Sequence, residues 1–105
     1  MAQSFKVFQI NEENAREYAG RKYDADRPTV AQLAKEFEGQ FNHVATIVAN
    51  DLENVFDIGN IGPESSITRH APMHSLSVGD VIVDEWGIAN VVASFGFENV
   101  GYFAQ

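Results

Sequence analysis

The run His74-Ser75-Leu76-Ser77-Val78-Gly79-Asp80-Val81-Ile82-Val83 passes from a polar lead-in, through a turn at Val78-Gly79-Asp80, into a β-branched strand. Val81 and Val83 point to one face of that strand and Ile82 to the other, so burial on both sides is expected, at least in part. A second strand, Ile88 to Ser94, follows across Asp84-Glu85-Trp86-Gly87. That spacing suits a short hairpin in which Gly87 supplies an unusual backbone angle. The hairpin is the firmest structural statement the chain makes, and it names no chemistry.

Upstream, Ser4 to Ile10 alternates, with Phe5, Val7 and Gln9 on one face and Lys6, Phe8 and Ile10 on the other, as in a strand near a sheet centre. Asn11 can cap the helix that follows, and Glu12 and Glu13 fall in its first turn, where carboxylates favour the positive end. Ala15, Tyr18, Ala19 and Lys22 or Tyr23 give it a thin apolar stripe, with Gly20 a weak point. Asp24 to Pro28 reads as a connector. Thr29 and Gln32 have the spacing of a reciprocal cap, and Val30, Leu33, Ala34, Phe37 and Phe41 form one apolar face of a short helix ending near Glu38-Gly39. His43 to Asn50 is a strand of small and β-branched residues. Asn50 or Asp51 can cap a short helical turn carrying Leu52, Val55 and Phe56. From Gly59 to Met73 no periodicity is visible, so an irregular loop is expected there. Phe95 to Phe103 ends the chain as an edge strand with a bulge, bracketed by Gly96 and Gly101.

These readings give one α+β domain over residues 1–105. Strands are expected near 4–10, 43–50, 80–84 and 88–94, with a fifth near 97–103, and helices near 12–22 and 29–38. The expected architecture is a small mixed or antiparallel β-sheet packed against two helices, with a C-terminal β-hairpin.

Composition limits the function classes. With 45% hydrophobic residues and eight Phe, the 105-residue chain can fill a small core. It has no Cys, so disulfides, thiolate metal sites and thiol nucleophiles are excluded. The opening Met1-Ala2-Gln3-Ser4-Phe5-Lys6 does not have the pattern of a signal peptide, and no stretch approaches the ~18 apolar residues of a spanning helix. A cytoplasmic location is the default expectation. Seven Lys and Arg against fifteen Asp and Glu give a net charge of −8. Beyond Glu36, Arg69 is the one base, against nine carboxylates. Such a surface repels polyanions, so neither nucleic acid nor an anionic membrane is expected as a partner, whereas a basic protein would be attracted. Net negative charge also keeps a small domain soluble, which accounts for it without any partner.

Candidate sites are sparse. His70 and His74 are four apart, with Asp80 and Asp84 downstream, but Pro72 lies between them in a loop-like setting. The helical face that gives an i, i+4 pair its meaning is therefore missing, and no metal is expected. Ser75, Ser77 and the Ser65-Ser66 pair sit in no nucleophile elbow. Asp80 and Asp84 are a weak acid–base pair among fifteen carboxylates. Gly59-Asn60-Ile61-Gly62 lacks the Lys of a phosphate loop. No enzyme and no cofactor are expected. The aromatic excess is more suggestive: Trp86, Phe95, Phe97, Tyr102 and Phe103 with Asp84, Glu85 and Glu98 could form an interaction surface. The simpler expectation is that the Phe residues complete the core and that Trp86 folds back over it.

The block His74-Ser75-Leu76-Ser77-Val78-Gly79-Asp80-Val81-Ile82, followed by Ser94-Phe95-Gly96-Phe97, resembles the YodL-like domain family. Leu52-Glu53-Asn54-Val55-Phe56 is similar to that family's short helix, and Phe5-Lys6-Val7-Phe8-Gln9-Ile10 to its first strand. The resemblance implies a small protein of phages or other mobile elements with no established catalytic residues. It points to a protein that binds and modulates a host protein, located in the host cytoplasm if phage encoded. Alternatives are an assembly component forming a homo-oligomer and a DNA-mimic inhibitor of a DNA-binding enzyme. Within the block, His74, Ser75, Ser77, Gly79 and Asp80 are expected to build the turn, the Ser and Asp side chains bonding nearby backbone amides and fixing the start of the strand.

Overall fold

Alternation along Phe5-Lys6-Val7-Phe8 makes the first strand two-faced, and the sheet grows from it. The computed structural model describes residues 2–22 and 29–103; the expected connector from Asp24 to Pro28 lies outside the described residues. Strand β1 is Gln3–Ile10, β2 Phe41–Ala49, β3 Ile67–Arg69, β4 Val81–Val83, β5 Ile88–Val92 and β6 Phe97–Tyr102. They lie in the order β3-β2-β1-β4-β5-β6, and each neighbouring pair is antiparallel. The helices are α1 Glu12–Lys22, α2 Val30–Glu36 and α3 Leu52–Ile61.

The caps form where the local sequence places them. Asn11 Oδ1 accepts from Asn14 N–H at 3.0 Å at the head of α1. Thr29 Oγ1 accepts from Gln32 N–H while Gln32 Oε1 accepts from Thr29 N–H, the reciprocal arrangement that satisfies two otherwise orphaned donors of α2. Asp51, not Asn50, caps α3, through Asn54 N–H at 2.8 Å.

Both faces of the sheet are covered in part, which is why β4 is buried at every residue. Val81 and Val83 join Phe8, Ala89, Val91 and Phe103 against Val30 and Ala34 of α2. Ile82 points the other way, joining Phe5, Val7 and Ile47 against Val55 and Ile58 of α3. Tyr18, Leu33 and Phe37, with Ile10 and Phe41, tie α1 to α2 above the first of these layers. Phe103 thus belongs to the core and not to a binding surface.

Three expectations need correcting. Among the described residues the sheet carries three helices, because the turn expected after Asp51 continues for ten residues to Ile61. The stretch from Gly59 to Met73 is not wholly irregular. After α3 ends at Gly62, a 3-10 turn at Glu64–Ser66 leads into β3, which pairs Ile67↔Ile47 and Arg69↔Ala45. Three residues are too few to show a period, so only the pairing with β2 defines that strand. Trp86, finally, does not fold back over the core. Asp84 Oδ1 accepts from both Trp86 N–H and Ile88 N–H, Gly87 takes φ +84°, and the tight turn leaves the indole 70% exposed.

Candidate functional site

Residues 74–80 form a clasp on the edge of the core rather than a reactive centre. Asp80 Oδ2 accepts from Ser77 N–H at 3.0 Å, the side chain-to-backbone bond expected of this turn, and from Gln9 Nε2 at 3.1 Å. Gln9 also donates to His74 O and accepts from His74 N–H, so one buried amide of β1 holds both ends of the loop. Helix α1 supplies the other anchor. Tyr18 OH donates to Gly79 O at 2.7 Å and Lys22 Nζ to Val78 O at 2.7 Å. Gly79 stands at φ +100°, and a Cβ there would lie 2.9 Å from Tyr18 Cε2, so the position requires glycine on two counts. On the far side, Asn60 Oδ1 of α3 accepts from Leu76 N–H at 2.7 Å.

Burial pushes the Asp80 carboxyl up to about 6, against the pull of Ser77 N–H, Gln9, His74 and Lys22, which favour the charged form. Burial likewise raises the Tyr18 phenol, with Asp80 adding to it, and lowers the Lys22 ammonium, with Asp80 opposing. His74 Nδ1 sits 2.8 Å from Ser75 O. Of the expected turn residues, Asp80 bonds the backbone through its side chain and Gly79 supplies the left-handed angle, whereas Ser75 and Ser77 enter through their backbone groups, Ser75 O and Ser77 N–H. Gln9, Tyr18 and Lys22 were missed as its partners because they lie more than fifty positions upstream.

The expected interaction surface is split by the β5–β6 hairpin. Asp84, Glu85, Trp86 and Tyr102 gather at one end, where Tyr102 flanks Gly87 and is 71% exposed. Glu98 lies on the α2 face and accepts from Ala31 N–H at 3.0 Å. Phe97 packs on the α3 face, at the opposite end of the hairpin. Five residues at about 3.3 Å each separate the two ends by about 16 Å.

That opposite end holds a cleft of about 350 Å³ between α3 and the β5–β6 turn. Phe56, Phe97 and Val92 give it an apolar floor, and Glu53 and Asp57 flank it. A shallower depression continues past Phe97 to Leu52 and Asp51. Phe95 stands at the tip of the turn beside it, 96% exposed. Glu53, Phe56 and Asp57 share a helix face at i, i+3 and i+4. That pattern is in the sequence, but it acquires meaning only once the helix is known to run on past Phe56.

His70 and His74 do not form a pair. His70 Nε2 lies 2.8 Å from Thr46 Oγ1, and its ring centroid is 4.6 Å from that of His43 on β2. His43 Nε2 is 3.4 Å from the same hydroxyl, and its ring stacks on Phe8 at 5.1 Å. Burial, then the neighbouring His70 and Lys6, hold the His43 imidazole below its usual range, with hydrogen bonding to the Ala45 backbone acting the other way. Among the described residues no group of three or more His, Asp or Glu is placed to hold a metal ion.

Comparison of the chain with protein-family models, with curated protein sequences and with solved structures finds no match. Among the described residues no helix is long and apolar enough to cross a membrane.

Proposed function

We propose that the protein is a small acidic, non-enzymatic interaction module that binds and modulates a basic host protein through the cleft between α3 and the β5–β6 turn. The observation that carries this reading is the pairing of aromatic rings with carboxylates in one cleft lining: Phe56 and Phe97 together with Glu53 and Asp57. A lysine or arginine side chain has the matching anatomy. Its hydrocarbon stem lies along the apolar floor, its charged head meets the carboxylates, and aromatic faces attract it further. The acidic balance beyond Glu36 extends the same complementarity over the surrounding surface. The setting in a phage or other mobile element rests on the YodL-like resemblance of residues 74–83.

The test uses fluorescence anisotropy with a labelled Lys/Arg-rich peptide at low salt and at about 0.5 M salt. Saturable binding that weakens with salt is expected. Reversing the cleft charges, Glu53→Lys with Asp57→Lys, should abolish it, while the same change of net charge on α1, Glu13→Lys with Glu17→Lys, should reduce it modestly. Equal losses from the two double variants would mean that only net charge attracts the peptide, and the reading would fail. A second reading, self-assembly, draws on the exposed Trp86 and Tyr102 at the other end of the hairpin. A discrete oligomer by light scattering, dispersed by Trp86→Ala, would favour it.

A further inference from the structure

We propose that His43 and His70 bind a divalent transition cation of the imidazole-preferring class, Cu²⁺ most tightly with Ni²⁺ and Zn²⁺ behind it, with Thr46 Oγ1 and water completing the coordination shell.

Convergence is the first argument. The Nε2 atoms of both rings lie against one hydroxyl, at 2.8 Å for His70 and 3.4 Å for His43. Imidazole nitrogen ligates such cations at about 2.0–2.1 Å, so a cation needs two nitrogens aimed at a common point. His70 is exposed, so a cation can reach the pair from solvent.

The second argument is that the backbone presets the pair. His43 lies on β2, and His70 follows β3 directly, its N–H donating to Val44 O at 2.9 Å. Phe8 stacks on the His43 ring at an interplanar angle of 25°, fixing the plane of one ligand. Part of the conformational cost of bringing two ligands together is therefore met before the cation arrives.

The field around the site also matters. A net charge of −8 concentrates cations around the molecule. Lys6, which pairs with Thr46 across β1 and β2, opposes binding. With two imidazoles and one hydroxyl, the site leaves positions open to solvent, unlike the closed four-ligand shell of a structural zinc. Preference for Cu²⁺ follows from the order of divalent affinities at nitrogen ligands.

The test is titration of the tag-free chain with CuCl₂, read by calorimetry and electron paramagnetic resonance. One Cu²⁺ per chain with coupling to two imidazole nitrogens is expected. His70→Ala, and His43→Phe, which keeps a ring against Phe8, should each weaken binding by at least the ~10–100-fold that loss of an outer partner costs. Each should reduce the nitrogen coupling. His74→Ala should change neither readout, and Lys6→Gln should tighten binding. Equal affinity in the wild type, His43→Phe and His70→Ala would overturn the proposal, as would loss on His74→Ala or a spectrum showing oxygen ligands alone.

Discussion

Replacing Asp80 with Asn tests whether the clasp holds its carboxylate at a cost. Asp80 is 4% exposed, and its carboxyl is pushed from 3.8 up to about 6, chiefly by burial. A folded-state value above the unfolded one means that the native protein binds the proton more tightly. The group's favourable contribution is therefore complete below about pH 4 and is lost as pH rises through about 6. At about 1.4 kcal/mol per pH unit, the displacement is worth about 3 kcal/mol between the two limits. Asn offers an oxygen of similar shape to Ser77 N–H and Gln9 Nε2, and it does not titrate. The stability of Asp80→Asn minus that of the wild type should therefore increase by about 3 kcal/mol from about pH 3.5 to about pH 7.5. Urea unfolding followed by far-UV circular dichroism at a series of pH values measures both chains, and the shared contributions of the other carboxylates cancel in the difference. A difference that stays flat, or that moves in the wild type's favour as pH rises, would refute the assignment of desolvation as the dominant cause. In that case the hydrogen bonds from Ser77 and Gln9, with Lys22 and His74 nearby, would outweigh burial.

Tyr18→Phe keeps the buried ring but leaves Gly79 O without its 2.7 Å donor, so a loss of about 1–3 kcal/mol is expected in the same unfolding assay. Gly59→Ala would place a Cβ 2.6 Å from Leu76 Cδ1, and overpacking of about 1–3 kcal/mol should exceed the gain of up to about 1 kcal/mol in helix propensity. Its melting temperature should fall, and a Leu76→Ala background should remove that penalty.

The two-faced strands were legible because their information is local. Val81-Ile82-Val83 announces burial on both sides by composition alone, and the strand is buried throughout. Thr29 with Gln32 and Asn11 before Glu12 declare their caps within four residues. The hairpin turn at Asp84 to Gly87 was legible for the same reason. What could not be read depends on partners distant in the chain. β3 exists through its register with β2, and His43 meets His70 only through that register. The gathering of Trp86, Phe97 and Glu98 into one surface failed because neighbours in sequence on a hairpin are divided between its two faces and two ends. Glu98 was drawn to the first turn of α2, where it satisfies Ala31 N–H, a need invisible from residues 95–103.

Helix α3 connects the clasp to the cleft, and its successive turns do different work. Val55 and Ile58 face the sheet and fix the helix by burial. Gly59 and Asn60, near its end, meet Leu76: the absence of a Cβ at 59 admits the leucine side chain, and Asn60 Oδ1 accepts from the leucine N–H. Phe56 and Asp57, within about one turn before them, and Glu53, about a turn further back, line the cleft. Because a ten-residue helix moves as a rigid piece, a displacement forced at Gly59 is carried to Asp57 and Phe56, about 3–5 Å away along the axis. Tyr18 acts from the other face of the sheet, and the route from its partner Gly79 to the cleft, the hydrogen bond from Gly79 N–H to Val92 O, does not involve the Tyr18 hydroxyl and stays in place in Tyr18→Phe. Peptide affinity should thus fall with Gly59→Ala and remain with Tyr18→Phe, although both lower stability. The contrast separates a cleft positioned by the clasp from one that merely needs the protein folded.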